Sequence, residues 1–269
     1  MIAPDNPFFG GRDLKSSTAS GFNERLISRV GRFVPGISLD LGRAPVMGQL
    51  RRLGRTGDGV CLIVGAGSET ELLDFLRSCY REVVVTDVVQ GPDVSVVCDG
   101  AELPFEDAAF DCVIAMAVLE HVLDPETVIA EFHRVLKPGG VVAADTPFMQ
   151  QVHMRAYDFT RFTDLGYRWL FRRFEEAERG VSVGPGSALA WSIMYFFRAF
   201  AWNRMSTFVL TAIARLGFFW LKYFDYILAR RPGGRDAAAG FYFVGIKRDA
   251  GQVDNALTAA DLPKQFSGL

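Results

Sequence analysis

The chain has 269 residues, room for a standard domain of roughly 150 residues with sizeable additions. Its 49% hydrophobic and 13% aromatic content excludes an intrinsically disordered chain, and a net charge of −2 gives no overall attraction to a polyphosphate, so a nucleic-acid partner is not expected. Cys61, Cys79, Cys98 and Cys112 lack paired C-x-x-C spacing and read as reduced thiols, and no metal site is expected.

Residues 1–56 hold two amphipathic stretches, Phe22 to Phe33 and Pro45 to Leu53, and are expected to form a helical lead-in or cap. Arg51, Arg52 and Arg55 read as a solvated helix face. Met1 to Lys15 has no apolar run with the flanks of a signal peptide, from which a cytoplasmic protein is expected.

From Gly57 the pattern changes. An apolar run, Val60 to Val64, is followed by Gly65-Ala66-Gly67-Ser68 and a helical pattern from Glu71 to Tyr80. Strand-like runs follow at Glu82 to Thr86, Val94 to Cys98 and Cys112 to Met116. A helix over Pro125 to Leu136 stops at Lys137-Pro138-Gly139-Gly140, and Val141 to Ala144 resumes as strand. Runs that are apolar throughout and spaced by helices predict a doubly wound, mostly parallel α/β sheet, with its core over residues 57–186. Further strands are expected at Gly180 to Val183 and Phe241 to Lys247, the latter within a final segment, 233–250. Residues 251–269 are polar and small, and a flexible tail is expected.

Several residues in this frame can carry chemistry. A glycine turn after the first parallel strand lets a ligand approach the backbone, which points to Gly65, Ala66 and Gly67. Thr70 stands where a dinucleotide fingerprint needs its third glycine, which disfavours an oxidoreductase. Asp87 closes the second strand, where a carboxylate can accept both hydroxyl protons of a ribose, with Val88 beside it. Asp99-Gly100 closes the third strand beside the same crevice.

Asp99 to Phe105, Phe110-Asp111-Cys112-Val113-Ile114, Leu119-Glu120-His121-Val122 and Arg134 to Gly140 stand in the order and spacing of successive motifs in one family. The chain resembles the class I methyltransferases that act on small molecules. The resemblance implies S-adenosylmethionine as cofactor, with the glycine turn facing its methionine part, Asp87 on its ribose, Asp99 with Gly100 at its adenine and Met116 on the adenosine wall. Two positions depart from the pattern: Ile63 replaces the usual acid and Glu69 the usual third glycine. These departures sustain an alternative, a weak or inactive methyltransferase-fold scaffold protein recruited through apolar helices.

After the fifth strand, Thr146 to His153 and Tyr157-Asp158-Phe159-Thr160-Arg161-Phe162-Thr163 resemble a bacterial sub-group of methyltransferase-domain proteins linked to cell-envelope glycan or lipid pathways. His153, Asp158 and His121 are the candidate catalytic groups, since a loop beyond a strand's carboxyl end is where open α/β sheets bind ligands. Tyr157 and Arg161 are candidate substrate contacts. Asp158 and Arg161, three apart, are equally readable as a structural pair orienting the loop. His133, inside a helix, reads as a packing residue. No Asp-Pro-Pro-Tyr-like run follows the fourth strand and there is no Pro-Cys pair, which disfavours nucleobase methylation. The expected acceptor is an oxygen or nitrogen of a small molecule, a sugar or a lipid-linked compound.

Residues 187–232 read as an apolar helical insertion. Charges interrupt its apolar runs before about 18 residues, so a transmembrane helix is not expected. The apolar face over residues 188–229 is open to three readings: packing as a lid, a homodimer contact, or shallow insertion at a membrane surface.

Overall fold

In this computed structural model the described residues are 34–248, apart from 55, 66–69 and 154–156. The expectations for Phe22 to Phe33, Ala66, Gly67, Glu69 and the tail lie outside the described residues.

Seven strands form one sheet: β1 Val60–Val64, β2 Glu82–Asp87, β3 Val96–Val97, β4 Phe110–Met116, β5 Leu136–Pro147, β6 Phe174–Val183 and β7 Gly240–Lys247, in the order β3-β2-β1-β4-β5-β7-β6. Neighbours from β3 to β5 pair in parallel, whereas β7 runs antiparallel between β5 and β6. This is the Rossmann-like seven-stranded arrangement expected from the alternation of strands and helices.

The central strands are apolar on both faces because both faces are covered. Leu62, Val113, Val142 and Phe243 point to one side, against Val128, Ile129 and Phe132 of α3 (Pro125–Val135) and Tyr167 and Leu170 of α4 (Asp164–Leu170). Cys61, Cys112, Val141 and Val244 point to the other, against Val46 and Leu50 of α1 (Arg43–Leu53) and Leu72 and Leu76 of α2 (Thr70–Cys79). Each fully buried Leu, Ile or Phe contributes roughly 1.5–3 kcal/mol of transfer free energy. Cys61 and Cys112 are buried free thiols, as expected. His133 is half-buried with its ring edge-on to Phe174, a packing position.

Boundaries shift where the pattern is weak. β3 is two residues long because it is an edge, paired only through Thr86↔Val96 and Asp87↔Val97. β6 begins at Phe174, six residues before its expected start. It is the other edge strand, and its exposed Glu175 and Glu176, with Glu178 bonded to Gln49 and Tyr242, hide the strand pattern. β5 extends back through Lys137 to Gly140, where Phe110 pairs with Leu136 across a register shift.

Between β6 and β7 lie α5 (Pro185–Arg198), α6 (Arg204–Phe218), a 3-10 turn (Phe219–Phe224) and two short helices, α7 (Asp225–Leu228) and α8 (Pro232–Asp236). Asn203 starts α6 with a capping box: its side chain accepts from Ser206 N–H, and the Ser206 hydroxyl accepts from Asn203 N–H. The first turn of α5 has no cap of its own. Asp225, fully buried, substitutes for one by accepting from Gly186 N–H (2.6 Å), Ser187 N–H (3.1 Å) and the Ser187 hydroxyl (2.6 Å). The Arg215 guanidinium and the Lys222 ammonium donate to the carbonyls of Pro35 and Gly36.

No helix crossing a membrane is expected here from the sequence, because charges interrupt its apolar runs. Arg204–Leu228 is continuous over 25 residues and is long and apolar enough to span one by length and composition. Little of this stretch is buried within the protein, and Asp225 ties its end into the fold.

Candidate active site

The strand order reverses between β1 and β4, and ligands in such sheets bind at the carboxyl ends flanking that reversal. On the β1 side, Gly65 follows the strand with φ +79°, a left-handed conformation that favours glycine. A Cβ there would stand 2.4 Å from Val118 Cγ2. Gly65 N–H donates to Thr86 O (2.8 Å) and the Thr86 hydroxyl to Ile63 O (3.1 Å), which ties the turn to the end of β2. The Ile63 side chain itself is buried in the core.

Asp87 is half-buried at the end of β2. Its Oδ1 accepts from Val89 N–H (3.0 Å), and Val88 beside it is 67% exposed. Asp99 accepts from Ala101 N–H (2.9 Å) and so shapes the following loop. Arg134 holds that loop from behind by donating to the carbonyls of Leu103 (2.9 Å) and Phe105 (2.7 Å) and to the carboxylates of Glu131 and Asp107.

On the β4 side, Met116 is half-buried and Ala117 has φ +54°. A non-glycine residue in that region is strained, and here it is held by donation of Ala117 N–H to Asp145 O (2.9 Å). The chain then buries Glu120, whose side chain is 1% exposed and neither of whose oxygens has a hydrogen-bond partner among the described residues. Glu120 Oε1 faces His121 Nε2 at 3.6 Å and His153 Nε2 at 3.9 Å, and the two imidazoles meet edge to face with centroids 5.0 Å apart.

The loop after β5 closes this group. Phe159 and Thr160 donate their N–H groups to Glu120 O, and the Tyr157 carbonyl contacts His121 Nδ1. Asp158 accepts from His153 N–H (2.9 Å) and lies 3.5 Å from His153 Nδ1. Arg161 grips the Asp158 carboxylate with both terminal nitrogens, and it also donates to the carbonyls of Gln150, Gln151 and Thr160.

The electrostatics follow from this packing. Burial, with Asp145 and Asp158 nearby, pushes the Glu120 carboxyl up to about 8, against the pull of Arg161. Burial lowers His121 below the usual imidazole value. The hydrogen bond from Arg161 holds Asp158 down to about 2.

The structure thus brings together His121, His153, Asp158, Arg161 and Tyr157, and separately lines Gly65, Asp87, Val88, Asp99, Gly100 and Met116 along the strand ends. Arg161 is turned into its own loop, and Tyr157 reaches the cluster through its carbonyl. Sequence reasoning passed over Glu120 as a site residue. The available signal was a carboxylate between apolar Leu119 and the His121 that follows a buried strand.

The donor set fits S-adenosylmethionine. Two carboxylates on adjacent strand ends suit a ribose diol and an adenine amine, and exposed Val88 with half-buried Met116 offers the apolar contacts an adenine ring needs.

Residues 48–144 match the family described as Methyltransferase domain. Sheet order agrees with that match: this part of the chain matches a class I methyltransferase domain of the kind that uses S-adenosylmethionine. The chain is 34% identical over 105 residues to the ubiquinone/menaquinone biosynthesis C-methyltransferase UbiE of Saccharophagus degradans, covering 37% of this chain and 42% of that protein. It is 36% identical over 87 residues to the demethylmenaquinone methyltransferase of Streptomyces griseus, covering 32% and 35%. The chain therefore spans less than half the length of these curated relatives.

Among solved structures, it resembles the [4+2]-cyclase SpnF at a TM-score of 0.50 and 15% identity, covering 80% of this chain and 84% of that one. It also resembles phosphoethanolamine N-methyltransferase 2 of Haemonchus contortus, in complex with phosphomonomethylethanolamine and S-adenosylhomocysteine, at 0.50 and 15%, covering 85% and 59%. These likenesses show the fold. That one of these neighbours is a cyclase means the activity must be argued from the site.

Proposed function

We propose that the protein transfers the methyl group of S-adenosylmethionine to an oxygen or nitrogen of a small, partly apolar acceptor, a lipid-linked one included. The observation that carries this reading is the convergence of two residue sets on the carboxyl ends of the parallel strands of one sheet. Gly65, Asp87, Asp99 and Met116 form the cofactor side, and Glu120, His121 and His153 the acceptor side. When bound, S-adenosylmethionine supplies an activated methyl group, so the chain's own task is largely positioning and exclusion of water.

Asp87 and Asp99 orient the nucleoside, and Gly65 lets the backbone approach it. The cluster at Glu120 is where the acceptor's nucleophile would lose its proton, with Asp158 and Arg161 setting the position of His153. An apolar acceptor is supported by α5, which touches the same loop: Gln151 Nε2 donates to Ser192 Oγ (3.0 Å), and Tyr195 OH lies 3.5 Å from Val152 O. The helices beyond it carry exposed Phe196, Phe200, Met205, Ile213 and Trp220, with Trp202 82% exposed. Such a face suits a membrane surface, where it would lie in the interface. The names of the curated relatives, which place two of them at quinones, agree with an amphiphilic acceptor.

The test is transfer of labelled methyl from S-adenosylmethionine into fractionated cell extract, comparing wild type with His153→Ala. Label in the organic-soluble fraction that the substitution abolishes would support the proposal. Binding of the cofactor without label in any fraction would favour the scaffold reading, to which buried Ile63 lends its weight.

A further inference from the structure

We infer that Glu120, His121 and His153 form a binding site for a divalent transition cation of the zinc class. Their ligand atoms all lie within 4.8 Å of one another. At zinc-like bond lengths, two ligands of a tetrahedral centre stand about 3.4 Å apart. Glu120 Oε1 is 3.6 Å from one imidazole nitrogen and 3.9 Å from the other, so small ring rotations complete the geometry.

The argument rests on which atoms are already engaged. A carbonyl can only accept, so His121 donates its Nδ1–H to Tyr157 O and keeps the lone pair on Nε2. His153 Nδ1 faces the Asp158 carboxylate, which favours a proton on that nitrogen and again leaves Nε2 as the lone-pair atom. Both lone pairs are aimed at the buried oxygen of Glu120, itself without a hydrogen-bond donor among the described residues. Three such atoms facing one another are a costly arrangement unless a cation, or a proton on the Glu120 carboxyl, stands between them. Imidazoles whose second nitrogen is held by a carbonyl or carboxylate are the usual surroundings of a metal-bound histidine.

The loop is built to maintain this arrangement. Phe159 and Thr160 bond to the Glu120 carbonyl, and Arg161 clamps Asp158 while also bonding to the carbonyls of Gln150 and Gln151. His121 and His153 remain partly exposed, at 20% and 29%, so a cation held there keeps a coordination position on the acceptor side. Binding stands on the cluster alone. Only its consequence, activation of a coordinated hydroxyl by a lowered pKa, rests on the methyl-transfer proposal.

The experiment uses tag-free, full-length protein stripped with chelator and titrated with Co(II), followed by competition with Zn(II). The inference expects one Co(II) per chain with the visible absorption of a low-coordinate site, displaced by Zn(II). Glu120→Gln, His121→Ala and His153→Ala should each weaken binding by at least about tenfold, and Asp158→Asn by about 10- to 100-fold as a group that orients a ligand. Circular dichroism of each variant identifies any that fails to fold, and the wild-type spectrum carries the test regardless. Absence of a stoichiometric cobalt spectrum in the wild type would overturn the inference, as would binding that none of the folded variants alters. Either outcome leaves cofactor binding, measured separately, untouched.

Discussion

The Asp158 carboxylate accepts the backbone N–H of His153 at 2.9 Å and lies 3.5 Å from the same residue's Nδ1, so one side chain fixes both the position and the ring orientation of His153. Arg161, bonded to both carboxylate oxygens, fixes Asp158 in turn. Asp158→Asn keeps the shape and removes the charge. It should lower turnover by about 10- to 100-fold while leaving the affinity for S-adenosylhomocysteine unchanged. A parallel loss of cofactor affinity would place Asp158 on the cofactor side instead.

Gly65 is the one described glycine of the turn proposed to meet the cofactor. Gly65→Ala puts a Cβ 2.4 Å from Val118 Cγ2 and demands a left-handed alanine. A strain of about 1–3 kcal/mol should appear in urea unfolding, accompanied by cofactor binding weakened about tenfold or more. Unchanged affinity would mean that the turn is a scaffold feature only.

Asp225 of α7 bonds to the first turn of α5. Asp225→Ala leaves two N–H groups and a hydroxyl unmet in a fully buried place, at a cost of about 2–4 kcal/mol. The expected readout is a lower urea midpoint. An unchanged midpoint would show that the pairing of α5 with α7 contributes little to the stability of the fold.

The Arg134 staple gives a pH signature. Its hydrogen bond to Glu131 holds that carboxyl below the usual carboxylate range, against the opposing effect of partial burial. A carboxyl depressed in the folded state contributes stability that is complete above its unfolded value, about 4.3, and is lost as pH falls through the folded value. Arg134→Ala should therefore be less stable than wild type at neutral pH, by about 1.5–3 kcal/mol, with the difference narrowing below about pH 4.3. Stability measured by denaturant from pH 7 to pH 3 checks the sign. A gap that widens on acidification would contradict it.

Much of the sheet was legible because the central strands are apolar on both faces, and a run such as Cys61-Leu62-Ile63-Val64 needs cover on each side. The edges were less legible. β3 and β6 pair on one side only, so Glu175 and Glu178 are tolerated within a strand and the pattern disappears. Asp87 and Asp99 could be placed from strand ends alone, since a residue's position along a parallel strand determines which end of the sheet it reaches. Glu120 could not be placed in this way. Its role depends on His153, 33 positions later, arriving beside it on a loop, and no local pattern records that meeting. Asp225 escaped for the same reason: it stands on a helical stripe with Lys222, where solvent exposure is the ordinary expectation, and only the approach of α5 buries it.

The central claim is that the carboxyl ends of β1 and β2 hold S-adenosylmethionine. Calorimetry of S-adenosylmethionine and S-adenosylhomocysteine with wild type and Asp87→Ala tests it most directly. The account predicts micromolar binding that the substitution weakens by about 2 kcal/mol, roughly 30-fold, the scale of hydrogen bonds to a charged group. No detectable binding by the wild type, or equal binding by both proteins, would contradict it.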